Sequence, residues 1–248
     1  MARWDPDTGM GGAAGRFPET RWSAVEALRS GCENTGPALE ALVGAYWKPV
    51  YKHLRIRWRK SNEDAKDLTQ AFFARSLEKD FFAGYDPSRA RFRTFLRTCL
   101  DGFAANEDKA SQAKKRGGGA LILPLDFHQA EAELSRTEPS PEDCFEKEWV
   151  RSLFSAALQH FSQQCEASGH QVHCRLFEKY DIDPDPDNKP TYAGLAESFG
   201  VAVTDVTNYL SWARREFRKS VLEKLREITG SEEEFRSEAR RLLGVKAL

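Results

Sequence analysis

The sequence predicts an all-α fold with two helical domains joined by a linker. Apolar residues recur at helical spacing through most of the 248-residue chain, and no segment shows the strict alternation of a half-buried strand. Glycine and proline residues separate these periodic stretches at intervals typical of short connections. We expect a disordered arm over residues 1–16, one domain over 17–119, a linker over 120–141, a second domain over 142–230 and a C-terminal amphipathic helix over 231–248.

Composition argues against a membrane-embedded or secreted protein. The chain is 40% hydrophobic and 30% charged, and it has no apolar run of membrane length. The first sixteen residues lack the apolar core of a signal peptide, so a cytoplasmic protein without a membrane partner is expected. The five cysteines are scattered without a C-x-x-C pair, which predicts free thiols rather than disulfides or a common zinc module.

Four helices are predicted in the first domain. Helical periodicity covers residues 20–30, 38–59, 62–82 and 91–115. Because proline is unfavourable inside a helix, residues 38–59 are predicted as a bent helix or as a pair interrupted near Pro49. A loop that contains Gly84 and Pro87 precedes the last of the four helices.

The third predicted helix carries an acidic face. Asp64, Asp67 and Leu68 cluster on one side within about one turn, where they can bind a basic partner. The alternative is purely structural: Asn62 caps the helix, and the acids are solvated side chains near the positive end of the helix dipole.

Aromatic and basic side chains are interleaved between residues 81 and 97. Bases of single-stranded DNA stack on aromatic rings while arginines hold the phosphates, so this mixture is typical of a surface that binds single strands. Phe92 and Phe95 are interpreted as core residues, which leaves Tyr85, in the loop, as the better candidate to contact a base. The basic residues assigned to this surface are Arg89, Arg91, Arg93, Arg97, Lys109, Lys114, Lys115 and Arg116.

Residues 191–219 predict a helix-turn-helix. Apolar residues at i, i+3, i+4 and i+7 from Tyr192 form one face of a first helix, and Gly200 supplies a left-handed cap where the turn begins. Val201 and Val203 are expected to flank the turn as apolar plugs. Thr204 is the predicted N-cap of the second helix.

The second helix of this unit has one apolar and one polar face. The predicted buried stripe is Val206, Leu210, Ala213 and Phe217. Short polar side chains on the opposite face can reach base edges, and its later arginines can reach phosphates. The residues assigned to duplex DNA are Thr204, Thr207, Asn208, Ser211, Arg214, Arg215 and Lys219. The alternative is an ordinary helical hairpin with a solvated basic face.

Metal and catalytic motifs are weak. The residues His160, Cys165, His170, His173 and Cys174 lie close in sequence, but their spacing lacks the paired ligands of a tetrahedral zinc site. The chain has no phosphate-binding glycine loop of the P-loop type, no zinc-protease motif and no nucleophile elbow. We therefore expect no cofactor, no metal and no enzymatic activity.

Two segments carry a resemblance to a known family. NEDAKDLTQAFFARSLEKDFF followed by RARFRTFL resembles region 2 of the extracytoplasmic-function sigma factors of bacterial RNA polymerase, and residues 191–219 resemble their region 4. The resemblance extends over residues 20–227 in the order of the family, with its linker between the two helical domains.

That resemblance implies a partner and a function. A sigma factor binds the RNA polymerase core and directs promoter recognition, DNA melting and transcription initiation; its first domain opens the minus-ten element and its helix-turn-helix reads the minus-thirty-five element. An anti-sigma factor or another regulator is a further possible partner. The residues that the resemblance assigns to core binding are Asp64, Asp67, Leu68, Gln70 and Phe73. The alternatives are a DNA-binding regulator that never joins the polymerase and a helical adaptor with no DNA affinity.

Residues 231–248 lie beyond the two domains that the resembling family requires. Ser231 and Glu234 predict a capping box at the start of a short amphipathic helix, whose apolar side begins at Phe235. Such a helix is marginal alone, so it is expected to dock, most simply on the helix-turn-helix domain. Either it only stabilises that domain, or the acids at 232–234 compete with DNA for the basic run at 214–226.

Overall fold

The computed structural model describes residues 24–30, 36–76, 81–82, 84–113, 125–134, 140–183 and 190–244. Every regular element within these residues is helical, which confirms the predicted all-α class. The helices are α1 (Ala24–Ser30), α2 (Gly36–Ile56), α3 (Asn62–Ser76), α4 (Phe92–Ala113), α5 (Phe127–Ala132), α6 (Pro141–Ser168), α7 (Gln171–Phe177), α8 (Tyr192–Phe199), α9 (Val203–Glu227) and α10 (Glu232–Leu243), with a π-helical turn at Glu178–Ile182. None of these helices is both long and apolar enough to cross a lipid bilayer. The predicted arm, residues 1–16, lies outside the described residues.

α2 runs without interruption through Pro49. A proline in a helix interior costs roughly 3 kcal/mol because it removes a hydrogen bond and crowds the preceding turn. Tyr46, Val50 and Leu54 of the same helix are almost fully buried, and each such side chain stabilises the fold by about 1.5–3 kcal/mol. This burial offsets the cost of the proline, so the predicted alternative of two separate helices does not occur.

The larger hydrophobic core combines helices from both predicted domains. Phe145, Trp149 and Leu153, from the first half of α6, pack with residues of α2, α3 and α4, and Val221 of α9 joins the same core. A second, smaller core lies where Phe161 of α6 packs with residues of α7, α8 and α9. The predicted boundary at residue 142 therefore falls at the start of a helix that belongs to both cores.

Part of the predicted linker is a docked helix. The ring of Phe127, at the start of α5, lies 5.4 Å from that of Trp47 and 5.2 Å from that of Tyr51, both on α2. Glu131 of α5 accepts a hydrogen bond of 2.9 Å from Nε of Arg55. Residues 127–132 of the predicted linker therefore form a helix that aromatic packing and an ion pair attach to α2.

α10 begins where the sequence predicts, with Ser231 as its N-cap. The Ser231 hydroxyl accepts a hydrogen bond of 3.1 Å from the backbone N–H of Glu234. The carboxylate of Glu234 accepts hydrogen bonds from the N–H groups of Gly230, at 2.9 Å, and of Phe92, at 3.0 Å. Phe235 is buried in the larger core. α10 therefore contacts the first domain as well as α9, whereas the prediction placed it on the helix-turn-helix.

Candidate nucleic-acid interface

α8 and α9 are joined by the tight turn that the sequence predicts. The hydroxyl of Thr191 caps α8 by accepting a hydrogen bond of 3.1 Å from the N–H of Gly194. Gly200 ends α8 with a φ of 63°, a left-handed conformation that favours glycine because it lacks Cβ. Leu195 and Ala196 are buried beneath the turn. The two helices therefore cross closely, as a helix-turn-helix requires.

α9 begins two residues earlier than predicted, with Ala202 rather than Thr204 at its N-cap position. Asp205 accepts a hydrogen bond of 3.3 Å from the N–H of Ala202, and its carboxylate lies in the first turn, where the helix dipole favours negative charge. Val203 is the first helical residue and is 48% exposed. The predictions of Thr204 as N-cap and of Val203 as an apolar plug are therefore wrong. Thr204 lies inside the first turn with an exposed side chain.

The polar face of α9 is exposed along its first four turns. Val206, Leu210 and Ala213 are fully buried on the other side, as predicted, and Phe217 is half-buried. A helix with one such face fits the major groove of duplex DNA, which is about 12 Å wide. We call the exposed face the α9 stripe; it consists of Thr204, Thr207, Asn208, Ser211, Arg214, Arg215 and Lys219.

The cations of the α9 stripe have carboxylate partners within the chain. Asp181, in the π-helical turn, receives two hydrogen bonds from Arg214, at 2.8 and 3.0 Å. Glu216 accepts from Arg215 at 3.3 Å and from Lys219 at 2.9 Å. Exposed pairs of this kind contribute about 0–1 kcal/mol, so phosphates can replace these carboxylates at little cost. The pairing with Asp181 is not visible in the sequence, whereas the i, i+3 spacing of Glu216 and Lys219 is.

Stacked histidines border the α9 stripe, and these stacks were not predicted from the sequence. The ring of His170 stacks on that of Trp212 at 4.4 Å, and the ring of His173 stacks on that of Tyr209 at 3.9 Å. Burial, with a contribution from His170, lowers the pKa of His173, which favours its neutral form. No group of three or more metal-ligating side chains occurs among the described residues. The spacing of Tyr209 and Trp212 on α9 was the signal that could have revealed this cluster.

α3 presents part of its predicted acidic face. Asp64 and Asp67 are exposed, and Leu68 and Gln70 are half-buried. Phe73 is 1% exposed within the larger core, so its side chain is not accessible to a partner in this conformation. Its ring lies 5.5 Å from that of Phe72, on the core side of the helix.

The cap of α3 differs from the one predicted. Ser61, not Asn62, accepts the hydrogen bond from the N–H of Asp64, at 3.1 Å. The Ser61 hydroxyl in turn donates to the Asp64 carboxylate at 2.7 Å. Asn62 instead accepts from the hydroxyl of Tyr51 at 2.9 Å. Asp64 therefore has a structural role, whereas no comparable role is seen for Asp67.

The segment between α3 and α4 is largely occupied by internal contacts. Tyr85 is 3% exposed, with its ring 5.2 Å from those of Phe92 and Phe95, so the ring is not accessible to a base in this conformation. Arg93 is 6% exposed because Glu146 and Glu238 hold its guanidinium, so it is not available to a phosphate either. Phe92 is buried, as predicted.

The other basic residues assigned to single-stranded DNA differ in accessibility. Arg89 and Lys109 are exposed, and Arg97 is half-buried. Arg91 is exposed but pairs with Glu238 at 2.8 Å. Lys114, Lys115 and Arg116 lie outside the described residues. The predicted surface for single-stranded DNA is therefore only partly accessible to solvent.

Comparisons with known proteins add no relative. No family model matches the chain, and searches of curated proteins and of solved structures find no match.

Proposed function

We propose that the protein is a sigma factor of the extracytoplasmic-function type, which binds the RNA polymerase core and directs promoter recognition, DNA melting and transcription initiation. The observation that carries this proposal is the α9 stripe, an exposed polar and basic helix face next to a glycine turn. Four exposed side chains on it can read base edges: Thr204, Thr207, Asn208 and Ser211. The exposed acids of α3 supply a candidate contact with the polymerase.

One observation favours a second candidate, a helix-turn-helix regulator that does not join the polymerase. Phe73, Tyr85 and Arg93, which the resemblance or the sequence pattern assigned to core or single-stranded DNA, are all buried. A protein that only binds duplex DNA needs none of them at its surface. The sigma proposal instead requires the segment around Tyr85 to open before it can bind a melted strand.

Reconstituted transcription separates these candidates. We expect the purified protein, added to RNA polymerase core and a library of genomic fragments, to produce transcripts whose start sites share an upstream element. Core enzyme alone is the control. Fragment binding without transcripts would support the regulator and refute the sigma factor. If neither fragments nor transcripts are enriched, the protein is an adaptor and both DNA-binding proposals fail.

Two substitutions in the α9 stripe test base reading against phosphate binding. Asn208→Ala is expected to change the preferred sequences and to cost about 1–3 kcal/mol on the best site. Arg215→Ala should weaken binding to all duplexes by a similar factor. The slope of log affinity against log salt concentration should become shallower by about 0.9, the value for one phosphate contact. Affinity selection on random duplexes at several salt concentrations measures both, with Arg236→Ala on α10 as the control. If Asn208→Ala leaves the preferred sequences unchanged, Asn208 does not read a base, and Thr207 or Ser211 becomes the candidate for that contact.

A further inference from the structure

The carboxylate of Glu234 is buried between α10 and the segment that precedes α4. It accepts hydrogen bonds from the hydroxyl of Tyr85 at 3.2 Å and from the N–H of Phe92 at 3.0 Å. That N–H lies in the first turn of α4, which has no partner for it within the helix. Burial and the adjacent carboxylate raise the pKa of Tyr85, so its hydroxyl stays protonated and donates. Glu234 thus ties α10 to the base-stacking candidate and to the start of α4.

Glu238, one turn further along α10, holds the arginines of the same segment. Its carboxylate is fully buried and lies 2.8 Å from Arg91 and 2.9 Å from Arg93. Its other oxygen accepts from Arg241 at 2.8 Å. Burial opposes ionisation of Glu238, yet its pKa lies below the ordinary value because Arg93 and Arg241 hold the charged form. The carboxylate therefore takes the place that a DNA phosphate would take on Arg91, and it shares Arg93 with Glu146 of α6, which lies 2.6 Å from Nε of Arg93.

The apolar packing of α10 covers the same place. Phe235 and Ala239 are buried in the larger core, together with Tyr85 and Phe92. A Cβ on Gly230, just before α10, would lie 2.3 Å from the ring of Tyr85. Backbone and ring are therefore in direct contact, and no base can stack on Tyr85 while α10 is docked.

We propose that α10 is an intramolecular competitor of single-stranded DNA, which covers Tyr85 and Arg93 and pairs with the exposed Arg91 until a partner displaces it. This inference rests on the proposed function, because it assigns the covered segment to a melted promoter strand. It differs from the predicted competition for the basic run at 214–226, in which only Glu232 takes part, through an ion pair of 2.8 Å with Arg226. A docked competitor lowers the apparent affinity by the fraction of molecules that are open.

The experiment measures the binding of a labelled single-stranded DNA of mixed sequence by fluorescence anisotropy. Residues 231–248 contain four acidic and four basic side chains, so a chain that ends at residue 230 keeps the same net charge. We expect this shortened chain to bind the strand about tenfold more tightly than the full chain, a coupling of ordinary size. A peptide of residues 231–244 should restore weak binding, and the same peptide with Glu234→Gln and Glu238→Gln should not.

A full-length variant tests the same proposal independently of whether the shortened chain folds. Glu238→Gln removes the α10 charge that pairs with Arg91 and Arg93, frees Arg91 in particular, and should also tighten binding. Glu233→Gln, an equal charge change at an exposed position of α10, should not. Helical content by circular dichroism verifies each fold. If Glu238→Gln binds the strand no more tightly than Glu233→Gln, the competitor proposal is overturned.

Transcription separates this inference from the proposed function. Tighter strand binding by Glu238→Gln without any core-dependent transcript would uphold the competitor and refute the sigma factor. Core-dependent transcription by the full chain, with unchanged strand binding by Glu238→Gln, would refute the competitor alone.

Discussion

Lys52→Met is expected to lower the free energy of unfolding by about 3–5 kcal/mol, because it leaves a buried carboxylate with only the exposed Arg151, 3.4 Å away, as a cationic partner. The ammonium group of Lys52 lies 2.7 Å from Glu148 and 3.1 Å from Glu133. Lys52 and Glu148 are both buried, at 2% exposure each, where α2 packs on α6. Methionine fills a similar volume, so the loss reports on the charge rather than on a cavity.

Two further variants isolate the buried pair. Lys48→Met, one turn away on α2, removes a half-buried ammonium group 3.6 Å from Glu133 and should cost no more than about 1 kcal/mol. Combining Lys52→Met with Glu148→Leu removes both charges and should recover most of the loss. Denaturant unfolding followed by circular dichroism measures all three. Equal losses for Lys48→Met and Lys52→Met would show that the buried pair has no special role.

Local patterns predicted the elements that depend on neighbouring residues. The spacing of apolar residues identified α8 and α9, and Gly200 was foreseen as the left-handed end of α8. Ser231 was foreseen as the cap of α10 because a hydroxyl three residues before a free N–H is a local signal. These features need no information from distant parts of the chain.

Contacts between distant residues explain what the sequence could not reveal. Lys52 and Glu148 are separated by 96 residues, and Tyr85 and Glu234 by 149. An aromatic ring beside arginines has the same local sequence whether it faces solvent or a carboxylate from another helix. Tyr85 and Arg93 are buried because α10 docks on them. Whether the candidate single-strand surface is accessible therefore could not be predicted from the local sequence.

The substitution Asp64→Lys with Asp67→Lys is expected to abolish binding to the RNA polymerase core. Both side chains are exposed on α3, and the proposed function requires them to meet a basic surface of the polymerase. Like charges at such a contact cost several kcal/mol, which is enough to prevent complex formation at micromolar concentrations. Co-elution with core enzyme in size-exclusion chromatography measures the effect. Retained core-dependent transcription by the double variant would refute the assignment of α3 to core binding.

The cap of α3 makes Asp67 the more decisive of the two positions. Asp64→Lys also removes the carboxylate that accepts from Ser61, and disturbing such a cap costs roughly 0.5–2 kcal/mol of stability. Asp67→Lys alone should leave thermal unfolding nearly unchanged, because exposed substitutions away from such features stay within about 0.5 kcal/mol. Glu40→Lys, at an exposed position of α2, makes the same charge change and should leave core binding intact. If Asp67→Lys binds core as well as Glu40→Lys does, only the structural role of Asp64 remains, and the acidic face of α3 is a solvated surface.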